Sequence, residues 1–134
     1  MMPWTLRDLD QALWAGWAAD TCSPDDLARA PWTPDNPAWG HCDLTALIVN
    51  DVFGGDLMLG EVYLDGVQQG FHYWNRLPSG VELDLTSEQF RRGQTVTGAR
   101  VVKRPPGPIS RRWEEYLLLR ERVADRLGPL PDPL

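Results

Sequence analysis

The chain is short of several residue types, and each shortage closes off a class of function. Among its 134 residues there are two cysteines, Cys22 and Cys42, and two histidines, His41 and His72. Two cysteines cannot build a disulfide framework or a four-cysteine zinc site, and a reducing compartment keeps both as thiols. His41, Cys42 and His72 do not have the spacing of a zinc motif, so neither a metal nor a cofactor is expected. Basic charge is scarce too: 13 Lys+Arg face 19 Asp+Glu, for a net charge of −6. That balance argues against nucleic-acid binding, which needs a basic footprint to neutralise phosphates. No apolar run approaches the roughly 20 residues of a membrane-spanning helix. The opening Met1-Met2-Pro3-Trp4-Thr5 lacks the basic start and apolar stretch of a signal peptide. The expectation is a cytoplasmic protein with no membrane or nucleic-acid partner.

What charge there is lies unevenly. Residues 1–90 hold 3 Arg against 14 acids, a balance of −11, while residues 91–134 hold 10 Lys+Arg against 5 acids, a balance of +5. The first reading is a basic C-terminal segment folded back on an acidic body; the second is a basic partner-binding face.

The length suits one domain, drawn here as residues 1–127 with a loose tail at 128–134. Thr5 and Asp8 form an acidic capping box for a helix to about Ala19, with Trp4 and Leu9 placed as a hydrophobic staple. Ser23 and Pro24 open a short second helix that Pro31 stops, and Pro31 to Gly40 reads as loop. Cys42 to Phe53 has the length of a three-turn buried helix ended by Gly54-Gly55, although its β-branched content also permits a strand. Period-two patterning then predicts strands at Leu57–Leu64, Gly70–Leu77, Val81–Thr86 and Thr95–Lys103. Thr86 to Phe90 reads as one helical turn, and Ser110 caps a last helix running to about Leu127. Helices, then a central helix, an antiparallel sheet of about four strands and a final helix make an α+β domain.

Chemistry is most legible around Cys42. It opens the central helix, where free N–H groups and partial positive charge favour a thiolate and offer donors to an oxyanion. Free cysteine is equally a common core residue. On the strands, His72 and Trp74 share one face while Phe71, Tyr73 and Asn75 share the other. Pairing Asn75 with Val81 across the Arg76–Gly80 loop sets His72 opposite Asp84, within hydrogen-bond reach; a two-residue change offers Glu82 instead. Cys42, His72 and Asp84 then form a nucleophile, base and orienting acid in the chain order of papain-type enzymes. The same His–Asp pair also has a purely structural reading as a contact on the sheet.

These segments resemble the YunG-like family of small bacterial proteins. The likeness rests on Asn36-Pro37-Ala38-Trp39-Gly40-His41-Cys42, Thr45-Ala46, Asp51-Val52-Phe53-Gly54-Gly55, His72-Tyr73-Trp74-Asn75, Leu77-Pro78-Ser79-Gly80 and Asp84-Leu85-Thr86-Ser87-Glu88-Gln89-Phe90. The ending Asp84-x-Thr86-x-x-Gln89-Phe90 is also similar to papain-like and transglutaminase-like hydrolases. The resemblance implies a compact papain-like (cysteine-proteinase-like) domain with Cys42, His72 and Asp84 as catalytic residues. One position departs: His41 stands where Gly-Gln-Cys is expected. It either replaces the glutamine at an oxyanion hole, titrates beside the thiol, or is an exposed loop residue. Asn75 orients substrate or ties the hairpin, and Trp39 and Trp74 wall a cleft or fill the core. With His41 they complete the substrate-binding set.

Two functions follow. The first is a cysteine-dependent amide hydrolase or acyl-transfer enzyme working on a small-molecule or peptide amide through an acyl-thioester at Cys42. The second is a binding or accessory protein that keeps the fold without the chemistry. A cationic or neutral substrate suits the acidic body.

Overall fold

The stretch Leu44–Val52 is apolar on nearly every side, and a helix of that kind is stable only when covered all round. It forms α3 (Cys42–Phe53), whose residues Leu44 to Val52 are all buried. Gly54 ends it with its N–H on the Asn50 carbonyl at 2.9 Å. Gly55 follows with φ 84°, where a side chain would run into the Arg76 carbonyl. The computed structural model describes residues 5–87, 93–104 and 112–132.

Three further helices accompany α3. α1 (Leu6–Gly16) starts with the expected capping box, Asp8 N–H to Thr5 Oγ1 at 3.2 Å and Thr5 N–H to Asp8 Oδ2 at 2.9 Å. It stops three residues early, because Trp17 turns extended and a 3-10 turn follows at Ala19–Thr21. α2 is Pro24–Leu27, with Pro24 in its first turn. α4 (Trp113–Leu127) begins after Arg112, a left-handed residue with no side-chain cap. The expected Ser110 cap and the Trp4 half of the staple lie outside the described residues, as does Glu88–Phe90 of the expected turn.

The sheet contains β1 (Asp56–Leu64), β2 (Val67–Arg76), β3 (Glu82–Leu83) and β4 (Gln94–Val102), all antiparallel, in the order β3-β2-β1-β4. β2 begins three residues earlier than its sequence pattern suggests. Asp65 and Gly66 both take positive φ, 53° and 79°, which makes a two-residue hairpin turn matched to strand twist. β3 is much shorter than Val81–Thr86. Asp84 Oδ1 accepts from the Thr86 N–H at 3.2 Å and from the Thr86 hydroxyl at 3.3 Å, which turns the chain out of the sheet. Irregularities at Val62/Tyr63 and Leu59/Glu61 curl the sheet.

One face of the sheet lies on α3: Leu57 and Tyr73 pack into a core with Leu9, Leu13, Ile48, Tyr116 and Leu119. The architecture is α+β, with four helices and a curled four-stranded antiparallel sheet.

The basic C-terminal segment does fold back on the acidic body. Arg104 and Arg120 each meet the fully buried Asp51 carboxylate at 2.6 Å, and the Tyr116 hydroxyl donates to the same group. Arg112 pairs with Asp43 at 3.0 Å, and Arg122 with Asp20. The expected loose tail is anchored in part: Leu130 packs on the core, and the Pro131 carbonyl accepts from Arg120 at 2.6 Å.

Candidate active site at the start of the central helix

Cys42 is the first residue of α3, half-buried, with His41 before it. Its thiol lies near the Tyr73 backbone N–H of β2, which favours the thiolate. Cys42 thus lies near the main chain of β2 next to His72, whose own side chain leaves the strand on the face opposite Tyr73. Both line an open crevice of about 1340 Å³, together with Asp43, Tyr73 and Trp39.

The electrostatics run against the expectation of a lowered thiol pKa. Burial pushes the Cys42 thiol up, and Asp43 beside it pushes the same way. The helix N-terminus and the Tyr73 amide do not outweigh desolvation, so the resting side chain is a neutral thiol. Cys22 is likewise raised, to about 11, by burial.

His72 is 1% exposed and its Nε2 lies 2.6 Å from Asp84 Oδ2. The pairing comes about differently from the expected register. Asn75 pairs with Leu83 and Arg76 with Glu82, two residues away from the Asn75–Val81 pairing. Asp84 therefore reaches His72 diagonally, a separation long side chains span. Glu82 is taken by the Trp74 indole N–H at 2.7 Å. The His72 ring stacks on Trp74 with centroids 5.6 Å apart, and Trp74 covers Gly60, where a Cβ would lie 3.0 Å from the indole.

The other expected substrate-binding residues are placed for support. His41 is no exposed loop residue: it is fully buried under the loop, and burial holds its pKa down at about 4. Its Nδ1–H donates to the Trp39 carbonyl at 2.8 Å, which leaves Nε2 to accept from the Thr21 hydroxyl at 2.7 Å. Asn75 is buried, and its Nδ2 donates to the Ala46 carbonyl of α3 at 2.9 Å, tying the strand to the helix. Trp39 donates its indole N–H to the Ala30 carbonyl at 3.1 Å and presents its ring to the crevice.

Arg112 belongs to this region and was not singled out from the sequence. Its side chain is 7% exposed. It donates to the Gly40 carbonyl at 3.3 Å, to Asp43 and to the Thr21 carbonyl, so it pins both flanks of Cys42. The only signal for it was the charge contrast between the two parts of the chain. Among the described residues no three His, Cys, Asp or Glu side chains are placed to hold a metal ion, and no helix is long and apolar enough to cross a membrane.

Fold and site together define an α+β domain in which a helix-start cysteine lines a crevice with a strand-borne histidine that is paired to an aspartate. The family model described as "YunG protein" matches residues 5–128, and the chain belongs to the YunG family. A curated relative from Bacillus subtilis (strain 168), "Uncharacterized protein YunG", is 38% identical over 64 residues. That match covers 48% of this chain and 50% of the relative, so the chain spans about half the length of the curated relative it matches. No solved structure gives a significant match.

Proposed function

We propose that the protein is a cysteine-dependent amide hydrolase or acyl-transfer enzyme of papain-like type, with Cys42 as nucleophile, His72 as base and Asp84 as the carboxylate that orients the imidazole. The observation that supports this reading is that Cys42 and His72 line the same crevice, with His72 already paired to Asp84 and the Tyr73 amide near the Cys42 sulfur. Asp84 engages Nε2, so proton exchange with the thiol falls to Nδ1. Because the resting thiol is neutral, ionisation accompanies attack: Sγ bonds to the acyl carbon as the thiol proton passes to His72. The oxyanion is met by backbone N–H groups of the first turn of α3, His41 being turned inward. His72 then returns the proton to the departing amine, leaving an acyl-thioester that water or a second amine resolves. Crevice and charge suit a small-molecule or peptide amide.

A second reading, a binding or accessory protein of the same fold, draws support from the raised thiol pKa alone. p-Nitrophenyl acetate separates the two. The enzyme reading expects a stoichiometric burst of p-nitrophenol and one acetyl group on Cys42, with Cys22 unmodified and the burst lost in His72→Ala. Absence of a Cys42 adduct in the wild-type protein, or an adduct that forms equally fast in His72→Ala, overturns it.

A further inference from the structure

Attack on an amide carbonyl places negative charge on its oxygen, and a site built for that charge offers it more than one hydrogen-bond donor. The main chain at the start of α3 has few to give. The Thr45 N–H is bonded to the His41 carbonyl, and the Leu44 N–H to Asp43 Oδ1 at 2.8 Å. The Asp43 N–H also faces its own carboxylate. That leaves the Cys42 N–H, which no acceptor among the described residues engages. The glutamine expected before the cysteine is His41 here, and its ring is buried with both nitrogens bonded elsewhere.

The side-chain donors along the crevice are largely taken. Trp39 gives its indole N–H to the Ala30 carbonyl, and Arg112 is spread over Gly40, Asp43 and Thr21. Tyr73 is different. Its ring packs on the core beneath α3, and the Cys42 sulfur lies near its backbone N–H. Among the described residues its hydroxyl has no hydrogen-bond partner and is not enclosed, and the residue lines the crevice that holds Cys42. Burial, then Asp43, then Cys42 raise its pKa, so the phenol keeps its proton and lies within electrostatic reach of both side chains.

We infer that the Tyr73 hydroxyl is the second oxyanion donor, acting with the Cys42 N–H on the acyl oxygen. This rests on the reading of Cys42 as the nucleophile. As Sγ bonds to the acyl carbon, the carbonyl π pair moves onto oxygen, and the Cys42 N–H and Tyr73 O–H meet it without giving up their protons. Collapse restores the carbonyl and expels the leaving group, so the tyrosine ends the cycle unchanged. The thiol proton remains the business of His72. Alternation along β2 sends His72 and Tyr73 to opposite faces, so two adjacent residues divide the base and the oxyanion donor between them.

Tyr73→Phe removes one oxygen and keeps the ring. p-Nitrophenyl acetate and iodoacetamide are followed on the same sample, because acetylation of Cys42 passes through an oxyanion whereas alkylation displaces iodide at a saturated carbon. Tyr73→Phe is expected to slow acetylation by roughly 10²-fold and to leave alkylation within about twofold of wild type. The melting temperature is expected to stay put, since the hydroxyl has no protein partner to lose. Ser23→Ala, which removes another hydroxyl from the crevice wall, is expected to change neither rate. A loosened fold would move both reagents together, so the ratio of the two rates is the quantity to read. A loss of acetylation below about tenfold in Tyr73→Phe, acetylation and alkylation falling together, or an equal loss in Ser23→Ala overturns the proposal. No acetyl group on Cys42 of the wild-type protein removes the nucleophile reading and this inference with it. A wild-type acyl-enzyme that Tyr73→Phe forms equally fast removes the inference alone.

Discussion

Asp84 meets His72 along the diagonal between β2 and the end of β3, with Oδ2 2.6 Å from Nε2. The other oxygen of the same carboxylate is held by the N–H and hydroxyl of Thr86, which is itself 1% exposed. The carboxylate thus has both oxygens assigned, one to the turn that ends the strand and one to the imidazole. Asp84→Asn keeps an acceptor for Thr86 but offers His72 an N–H in place of an anion, which reverses the favoured tautomer. The expected result is a fall of roughly 10²- to 10⁴-fold in the rate of Cys42 acylation, with little change in melting temperature, read by burst kinetics and thermal unfolding on the same sample.

His41 gives stability a pH dependence of defined sign. Its pKa is lowered from 6.5 to about 4 by burial, so between those values the unfolded chain takes up a proton that the folded chain refuses. Stability from this group is fully present above pH 6.5 and is lost as pH falls toward 4, by about 3 kcal/mol in total. Asp26 and Asp43, both raised by burial, act in the opposite sense at acid pH. Comparing wild type with His41→Gln cancels their contribution. Urea unfolding from pH 7 to pH 4 should show the gap between the two proteins narrowing by about that amount; a constant gap means His41 is not buried neutral.

Arg112→Gln leaves the Asp43 carboxylate without its cation and releases the Gly40 and Thr21 carbonyls. The expected loss is roughly 2 kcal/mol by urea unfolding, toward the lower end for a buried pair because the Asp43 side chain is 34% exposed. Adding Asp43→Asn should restore part of it, since the stranded charge is then gone. Non-additivity in that cycle is the quantity to measure.

Asp51→Asn is the most damaging single change expected in the polar interior. It leaves the guanidinium groups of Arg104 and Arg120 facing a neutral amide in a site where the carboxylate is fully enclosed. A loss of roughly 3–5 kcal/mol is expected. Tyr116, whose pKa is pushed up to about 12 by burial and by Asp51, contributes one hydroxyl to the cluster. Tyr116→Phe should therefore cost only about 1 kcal/mol. Equilibrium denaturation of both variants orders the two effects.

The parts of this arrangement that were legible beforehand are those written in short-range pattern. The Thr5–Asp8 capping box, the apolar stretch of α3 and its glycine stop each depend on neighbours within a few residues, and each formed as read. The pairing of His72 with Asp84 was legible for a less secure reason. The register was placed two residues away from the one found, and the two side chains still meet because a carboxylate and an imidazole span the diagonal. β3 was overestimated because Val81 to Thr86 alternates like a strand, while the Asp84–Thr86 turn that ends it is a local competition that alternation does not report. The thiol of Cys42 was misjudged because the helix N-terminus is a sequence-level feature, whereas its burial and the proximity of Tyr73 arise only in the folded chain. Arg112 was hidden because an arginine at a helix start looks the same whether it is solvated or enclosed. The buried position of His41 depends likewise on Thr21 and Trp17, which only tertiary structure brings beside it.

The ties that hold α3 have an order in time. Asp43 waits for Arg112, 69 residues further along, and Asp51 waits for Arg120, also 69 residues away. The contacts of Arg112 to the loop before Cys42 and of Arg120 to Asp51 therefore form only once the last helix has been synthesised and docked. A chain released short of α4 carries the Cys42, His72 and Asp84 side chains in full but lacks the Arg120 contact to Asp51, so docking of α4 is a late step in fixing the helix that bears Cys42.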